Sequence, residues 1–167
     1  MVNILTLIDP DEYSSKVHLV LKDAEEISSK TVYVSLNKTY NSLTEQLKDK
    51  GIDFSKITFI DTITATIIEP KPIQNCVYIE SSDNFKDLQN CILNTVKTNS
   101  ADLLVFDSLS SLTTYKESDE IVKFMKILLA SLSINGCSAI LTCLKDDEHL
   151  PLINKIKLLV NKTINLG

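Results

Sequence analysis

Leu103-Leu104-Val105-Phe106 leads directly into Asp107-Ser108-Leu109-Ser110, and no other stretch of the sequence says as much about the architecture. An uninterrupted apolar run is typical of a strand buried on both faces, as in a parallel sheet. In open α/β sheets, ligands bind beyond the carboxyl ends of the strands. The sequence therefore predicts that Asp107 and Ser108 lie at the ligand-binding edge of a parallel sheet, where an aspartate can meet a metal ion.

On either side of this strand, apolar strand-like runs alternate with segments of helical spacing. The predicted strands are Val2–Ile8, Thr31–Leu36, Ile57–Asp61, Cys76–Ile79, Leu103–Phe106, Ser138–Thr142 and Lys162–Leu166. The predicted helices are Tyr13–Ile27, Tyr40–Lys50, one capped by Ser82-Asp83 that runs to about Thr98, one that follows Asp107-Ser108 and ends at Asn135-Gly136, and one over about Leu150–Val160. This alternation predicts an α/β fold in three layers, α/β/α, with a mostly parallel sheet.

The composition limits the size and the partners of the protein. A chain of 167 residues suits one domain, because domains commonly span roughly 100–150 residues, and we expect a single domain over residues 1–167. The net charge is −5, and all 17 basic residues are lysines scattered among acids, which argues against a nucleic-acid partner. No apolar run approaches the roughly 20 residues that span a bilayer, and no signal peptide is evident. We therefore expect a cytoplasmic protein without a membrane partner.

Four cysteines are too widely spaced for a metal knuckle of the CxxC type. They are Cys76, Cys91, Cys137 and Cys143, and three of them fall in apolar strand or helix patterns. We expect them to be reduced core residues.

The turn after the first strand contains no glycine. It reads Asp9-Pro10-Asp11-Glu12-Tyr13-Ser14-Ser15-Lys16-Val17. A phosphate-binding loop uses glycines because their backbone reaches positive φ and aims successive N–H groups inward, whereas proline has no N–H. Each acid in the turn would repel a triphosphate by about 4 kcal/mol at about 4 Å and an effective dielectric near 20. This turn is therefore expected to hold phosphate poorly.

From its first strand to its last, the sequence resembles the KaiC-like branch of the RecA-like ATPase superfamily. Thr31–Leu36, the following Asn37-Lys38-Thr39-Tyr40, Gly51-Ile52-Asp53 and Phe59-Ile60-Asp61 are similar to the family's strand, acidic pair, helix, glycine turn and strand ending in aspartate. Leu103–Leu109 resembles the Walker B strand. The resemblance implies a RecA-like, P-loop NTPase-like topology and side-by-side association of subunits.

The resemblance also implies roles for individual residues. Asp107 matches the Walker B aspartate, which in the family helps to hold the Mg²⁺ shell, and Ser108 fits the small hydroxyl residue beside it. Lys16 matches the lysine of the phosphate-binding loop, and Ser15 precedes it. These four residues would contact a nucleotide only if one binds, and Asp107 is the one weak candidate for a metal ligand.

Several positions depart from the family pattern. Pro10 and Ser15 stand where the two glycines of G-x-x-x-x-G-K-[ST] belong, and Val17 replaces the hydroxyl residue that contacts Mg²⁺. Asn37 and Lys38 stand where the family has an acidic residue that orients the attacking water. The chain also has no arginine to supply an arginine finger. The Walker A motif is therefore interpreted as degenerate, and no catalytic residue is assigned.

Simpler structural explanations compete with these roles. Lys16 can be an exposed lysine on the first helical turn. Asp107 can cap the next segment through the amides of Ser110 or Ser111, and Asp61 is a weaker candidate of the same kind.

The remaining polar groups favour no chemistry. His18 and His149 share no metal-ligand spacing and are expected to be structural or solvated. The acidic run Asp146–Glu148 can bind a cation, but such runs are usually solvated. The serines at 108, 110 and 111 form no nucleophile elbow.

Three functional hypotheses follow. The preferred one is a non-catalytic, pseudo-ATPase KaiC-like domain that acts as a regulatory or protein-interaction module, with no cofactor. A protein partner or self-association is expected, through the loop Ile63–Gln74 and the sheet edge beyond Asp61. One alternative is a domain that binds ATP and Mg²⁺, or hydrolyses ATP weakly, within an oligomer. The other is a sensor of a small-molecule ligand.

Overall fold

The structure is a computed structural model that describes residues 1–80 and 83–166. Seven strands in this part of the chain form one sheet in the order β4-β3-β2-β5-β6-β1-β7. They are β1 (Asn3–Ile8), β2 (Thr31–Ser35), β3 (Ile57–Asp61), β4 (Cys76–Tyr78), β5 (Leu103–Asp107), β6 (Ser138–Leu144) and β7 (Lys162–Leu166). Every neighbouring pair of these strands is parallel. The predicted α/β class and parallel sheet are confirmed.

Helices cover both faces of this sheet. They are α1 (Tyr13–Ile27), α2 (Tyr40–Asp49), α3 (Phe85–Asn99), α4 (Leu109–Leu112), α5 (Ser118–Ile134) and α6 (Pro151–Lys157). Buried side chains of α1 and α2 pack against one face, and those of α3, α4, α5 and α6 pack against the other. The three-layer arrangement is therefore also confirmed.

The alternation of side chains along β5 decides which residues face each layer. Leu103 and Val105 pack with α1 and α2, whereas Leu104 and Phe106 belong to the core on the opposite face. Because successive side chains of a strand point to opposite faces, Asp107 lies on the same face as Val105. The carboxyl group at the end of β5 therefore faces α1 and α2.

The single long helix expected after Asp107-Ser108 is wrong, because α4 and α5 are separate helices. In the segment between them, the hydroxyl of Thr113 donates to the carbonyl of Ser110 (2.7 Å) and that of Thr114 donates to Ser111 (3.2 Å). Such bonds from threonine to nearby backbone compete with helix continuation. A new helix then begins at Ser118.

The predicted cap of α3 is corrected as well. Ser82 lies outside the described residues, and the N-cap is Asn84, whose side-chain oxygen accepts from the amide of Asp87 at 3.1 Å. Asparagine is among the best N-cap residues because its oxygen satisfies an otherwise unpaired amide.

The cysteines are free thiols. Cys76, Cys137 and Cys143 are buried and Cys91 is half-buried, as expected for reduced core residues. Burial raises the pKa of the Cys76 and Cys137 thiols to about 12 and that of Cys143 to about 11.

Within residues 1–80 and 83–166, no helix combines the length and apolarity needed to cross a bilayer.

Candidate functional site

Asp107 ends β5 in a cage of hydroxyl groups. The Tyr13 hydroxyl donates to its Oδ1 atom and the Tyr33 hydroxyl donates to its Oδ2 atom. Thr142 Oγ1 lies 3.0 Å from Oδ1 and 2.8 Å from the Tyr13 hydroxyl. The side chain of Asp107 is 1% exposed. We call these four residues the Asp107 cluster, and within it both carboxylate oxygens are already used as hydrogen-bond acceptors.

The sheet order explains why these residues meet. β5 lies between β2, which carries Tyr33, and β6, which carries Thr142. Tyr33 and Ile140 pack on the same face as Val105, and the two-residue period of a strand brings Thr142 and Asp107 to that face also. Tyr13 is the first residue of α1, which covers this face. Four separate elements thus supply the cluster.

The tyrosines of the cluster are held in the protonated form. Burial, followed by the negative charge of Asp107, raises the pKa of the Tyr13 hydroxyl well above its usual value. The same two causes raise the pKa of Tyr33, which is fully buried. Both phenols are therefore hydrogen-bond donors to the carboxylate rather than general bases.

The turn between β1 and α1 uses its own amide groups. Asp9 Oδ1 accepts from the amide of Asp11 at 3.0 Å, and the carbonyl of Asp9 accepts from the amide of Glu12 at 3.1 Å. The amide of Tyr13 donates to the carbonyl of Pro10. Pro10 itself has no N–H. Residues 10–12 form a 3-10 turn that leads straight into α1, so consecutive amides that a phosphate-binding loop would aim at a ligand are bonded within the chain.

Lys16 and Ser15 lie in the first turns of α1, and the structure does not bring them into contact with Asp107. Ser15 is exposed and its hydroxyl donates to the carbonyl of Glu12 at 2.9 Å. Lys16 is half-buried and makes no hydrogen bond or ion pair with any described residue. Nearby, Lys38 Nζ donates to Ser14 Oγ and to Gln46 Oε1, both at 3.1 Å. Lys38 thus ties the start of α1 to α2.

Ser108 caps α4, since its side chain accepts from the amide of Ser111 at 3.3 Å. Capping by Asp107, which was the structural alternative to metal binding, is therefore not observed. Ser110 Oγ accepts from the amide of Leu144 at 2.9 Å and joins α4 to β6. Asp107 cannot serve as the cap because its oxygens are held by the hydroxyls of the cluster.

Asp61, the second aspartate at a strand end, organises the loop that follows it. Its oxygens accept from the amides of Tyr40 (2.7 Å), Ile63 (2.8 Å) and Thr64 (2.9 Å), and from the hydroxyl of Thr64 (2.6 Å). A buried carboxylate with four donors is satisfied without a ligand. The structural explanation therefore suits Asp61.

The groups considered for metal binding lie apart. His149 Nδ1 contacts the carbonyl of Asp146 at 2.7 Å, and Glu148 pairs with Lys157 at 2.9 Å. In the described part of the chain, no three His, Cys, Asp or Glu side chains come close enough to share an ion. Asp107, the candidate metal ligand predicted from the sequence, has both carboxylate oxygens engaged as hydrogen-bond acceptors in this structure.

The sheet order and the aspartate at the end of β5 define a RecA-like α/β domain. The model of the KaiC ATPase family matches residues 16–166, and the chain belongs to that family. Members of the family typically bind ATP with Mg²⁺ and often form oligomers. The match begins at Lys16, after the turn whose amides are bonded internally.

A solved structure gives the same fold. The crystal structure of a KaiC-like protein from the hyperthermophilic archaeon Pyrococcus horikoshii OT3 is similar with a TM-score of 0.70 and 20% sequence identity, over 99% of this chain and 72% of that chain. No curated protein matches the sequence. The RecA-like, KaiC-like fold predicted from the sequence is therefore confirmed.

Three residues of the Asp107 cluster were missed by sequence reasoning. Tyr13, Tyr33 and Thr142 were assigned only to a helix start and to two strands. The period of two along β2 and β6 carried a usable signal, because it places the hydroxyls of Tyr33 and Thr142 on the face to which Asp107 points. The contact of Tyr13 depends on where α1 begins, which periodicity does not specify.

Proposed function

We propose that this KaiC-family domain is a non-catalytic, pseudo-ATPase module with a degenerate Walker A motif, and that it works by regulation or protein interaction. The observation that carries the proposal is the occupation of both Asp107 oxygens by hydroxyl donors. A Walker B aspartate needs carboxylate oxygens that are free of other hydrogen-bond donors, because it helps to position Mg²⁺. Freeing Asp107 here would require α1 to withdraw Tyr13 and would leave Tyr33 buried without its acceptor.

Two further features support the loss of catalysis. The amides of Asp11, Glu12 and Tyr13 are bonded within the turn and are not available to a triphosphate. Lys38, which stands where the family has an acidic residue, is engaged with Ser14 and Gln46. A lysine ammonium cannot take a proton from the attacking water, because it carries no free lone pair.

Phosphate release from Mg-ATP tests this proposal. We expect the purified protein to release phosphate no faster than its Lys16→Ala variant, since any activity common to the two comes from a contaminant. Mg²⁺-dependent hydrolysis that disappears in Lys16→Ala would overturn the proposal. The same outcome would favour the competing function, an ATP-binding or weakly hydrolysing domain, which family membership supports.

For the interaction, we propose self-association through the loop after β3 and the edge strand β4. In this loop Ile67 is 72% exposed and Ile68 is 60% exposed, and Val77 on β4 is 36% exposed. β4 is the last strand on its side of the described sheet, and an edge strand offers backbone groups to a further strand. The opposite edge strand, β7, instead carries polar side chains such as Lys162 and Thr163, which discourage edge pairing.

Sedimentation at increasing protein concentration tests the surface. A second copy of this chain is the expected occupant, because exposed apolar clusters mark interaction sites and KaiC-like domains often oligomerise. The double variant Ile67→Ser, Ile68→Ser should be monomeric where the wild type is dimeric. Ile134→Ser is the matched control, since Ile134 is 86% exposed at the end of α5. A wild type that stays monomeric, or a control that dissociates equally, would contradict this surface.

A further inference from the structure

A groove runs between α3 and α5, on the face of the sheet opposite α1 and α2. It has a volume of about 430 Å³, and small-ligand sites usually enclose roughly 300–1,000 Å³. Phe85 of α3 and Phe124 and Ile127 of α5 form its apolar floor. Residues three or four apart share one side of a helix, so Phe124 and Ile127 contribute neighbouring apolar surface. We call this site the α3–α5 groove.

The aromatic part of the floor is held in place by the core. The rings of Phe85 and Phe124 are stacked, with centroids 4.4 Å apart and planes inclined by 16°. Phe124 is 4% exposed, and its ring centroid lies 6.1 Å from that of Phe106 on β5. A ligand therefore meets a preformed surface, which reduces the ordering cost of binding.

Ile127 adds an exposed apolar side chain to this floor. It is 43% exposed, whereas Phe124 and Leu128 on the same helix are buried in the core. Apolar surface that is removed from water gains free energy in proportion to its area. A ligand with an apolar body would obtain this gain from Ile127 and from the accessible part of Phe85.

The rim of the groove carries positive charge that the chain does not neutralise. Lys86 and Lys123 line it and are exposed. The ion pairs of the described residues involve Lys116, Lys155 and Lys157 instead. The groove is thus locally cationic on a chain whose net charge is −5.

The acid at the rim does not offset these lysines. Glu120 lines the groove, but its carboxylate pairs with Lys116 Nζ at 3.9 Å. The same ammonium group lies 5.0 Å from the ring centroid of Phe85. Lys116 therefore already balances Glu120, and the charges of Lys86 and Lys123 are left for an anion.

Two side-chain amides complete the rim. Gln89 and Asn90 line the groove and make no side-chain hydrogen bond with any described residue. Each amide can donate through its NH₂ group, and a carboxylate offers about four acceptor positions on its two oxygens. Two ammonium groups and two amides match the demand of one carboxylate.

We propose that the α3–α5 groove binds a small organic molecule that has an apolar body and one carboxylate group. The apolar body lies on Phe85, Phe124 and Ile127, and the carboxylate pairs with Lys86 and Lys123 at the rim. Small-molecule sites typically combine a largely apolar lining with a few polar groups that fix the orientation of the ligand.

The size of the floor favours a small molecule over a protein partner. The part of α5 that lines the groove, residues 120–127, is about 10 Å long at 1.5 Å per residue. A stable protein interface buries about 800 Å² on each partner, which is more than two helical turns provide. The groove therefore suits a ligand with the dimensions of a substituted ring or a short acyl chain.

This site goes beyond the proposed pseudo-ATPase function and does not depend on it. It lies across the sheet from the Asp107 cluster and uses neither Asp107 nor the turn before α1. An empty groove would leave the lack of nucleotide hydrolysis intact, and ATPase activity would leave the groove unaffected.

Three compounds with the same apolar body test the two halves of the proposal. Phenylbutyrate, phenylbutanol and phenylbutylamine are titrated separately into the purified protein while its isoleucine methyl resonances are followed by NMR, and Ile127→Val assigns Ile127. We expect phenylbutyrate to shift the Ile127 methyl group with half-saturation below about 1 mM and to leave that of Ile134 unchanged. Phenylbutanol should bind about tenfold more weakly because it lacks the charge, and phenylbutylamine should not saturate.

Matched variants on α5 separate a built site from general stickiness or charge. In calorimetric titrations with phenylbutyrate, Ile127→Ser and Lys123→Gln should each weaken binding about tenfold. Ile134→Ser and Lys126→Gln alter exposed residues of the same helix that do not line the groove, and they should have no effect. Equal binding of the three compounds, equal weakening by Lys126→Gln and Lys123→Gln, or no saturation below about 10 mM would overturn the proposal.

Discussion

Tyr33 and Asp107 lie on neighbouring parallel strands, and the hydroxyl of one donates to the carboxylate of the other across a stagger of two residues. Ser35 is the register partner of Asp107, and Tyr33 is that of Val105. The length of the tyrosine side chain spans the stagger and delivers its hydroxyl to Asp107 Oδ2. A hydrogen bond to a buried charge is stronger than one between neutral groups, so this pair stabilises the centre of the sheet.

Replacing Tyr33 with phenylalanine tests the strength of this bond. Tyr33→Phe removes one donor from a buried carboxylate and should lower the free energy of unfolding by about 2 kcal/mol, the usual range for bonds to charged groups. Chemical denaturation measures the change. Tyr40→Phe is the matched control: it loses a bond to Asn75, a neutral acceptor at 2.8 Å, and should cost only about 1 kcal/mol. An equal decrease in the free energy of unfolding in the two variants would mean that the hydrogen bond from Tyr33 to Asp107 is no stronger than one between neutral groups.

His18 should make stability fall in weakly acid solution. Its pKa in the folded protein is lowered, mainly by burial, whereas an unfolded histidine takes up a proton near pH 6.5. Below about pH 6.5 the unfolded state therefore binds more protons, and the free energy of unfolding decreases until the folded-state pKa is reached. Denaturation curves between pH 8 and pH 4 measure this slope.

The variant His18→Leu should abolish this part of the pH dependence and should not lower stability at pH 8, because leucine removes two unpaired buried nitrogens. His149→Gln, at an exposed position, should retain the slope. Persistence of the slope in His18→Leu would assign it to other groups.

Asp102 should contribute a separate loss of stability at lower pH. Burial opposes its ionisation, but hydrogen bonds from the Ser28 hydroxyl (2.6 Å) and the amides of Ser29 (3.0 Å) and Lys30 (3.1 Å) outweigh burial and lower its pKa. An aspartate in the unfolded chain titrates near pH 3.9. The stabilisation is thus fully present above about pH 4 and is lost as pH falls through the lowered pKa.

Acid denaturation of Asp102→Asn measures this contribution. The variant should be less stable than the wild type at neutral pH, and the difference should shrink below about pH 4, where the wild-type carboxylate becomes protonated. Asp119→Asn is the control, because the side chain of Asp119 is 92% exposed and its pair with Lys155 is worth little. A difference between Asp102→Asn and wild type that stays constant with pH would contradict the role of the charge.

The sequence was sufficient for the architecture because the apolar strands are uninterrupted and the helices between them are periodic. Leu103–Phe106 predicted the buried strand and the place of Asp107 at its end. The break between α4 and α5 was not predicted, since Thr113 and Thr114 interrupt the helix through their hydroxyls while the apolar spacing continues on either side.

The candidate site was predicted less completely. The absence of a glycine cradle could be read from Asp9–Lys16, but the partners of Asp107 could not. They come from Tyr13, Tyr33 and Thr142, which are separated from it by 94, 74 and 35 residues in sequence. Only strand order and the exact start of α1 bring such distant side chains together.

Calorimetric titration of the purified protein with Mg-ATP tests the central claim most directly. Both Asp107 oxygens accept hydrogen bonds from hydroxyl groups, and the amides of the turn before α1 are bonded within the chain. We therefore expect no saturable heat of binding up to millimolar nucleotide, with or without Mg²⁺. Micromolar binding that requires Mg²⁺ and is lost in both Lys16→Ala and Asp107→Asn would contradict the account.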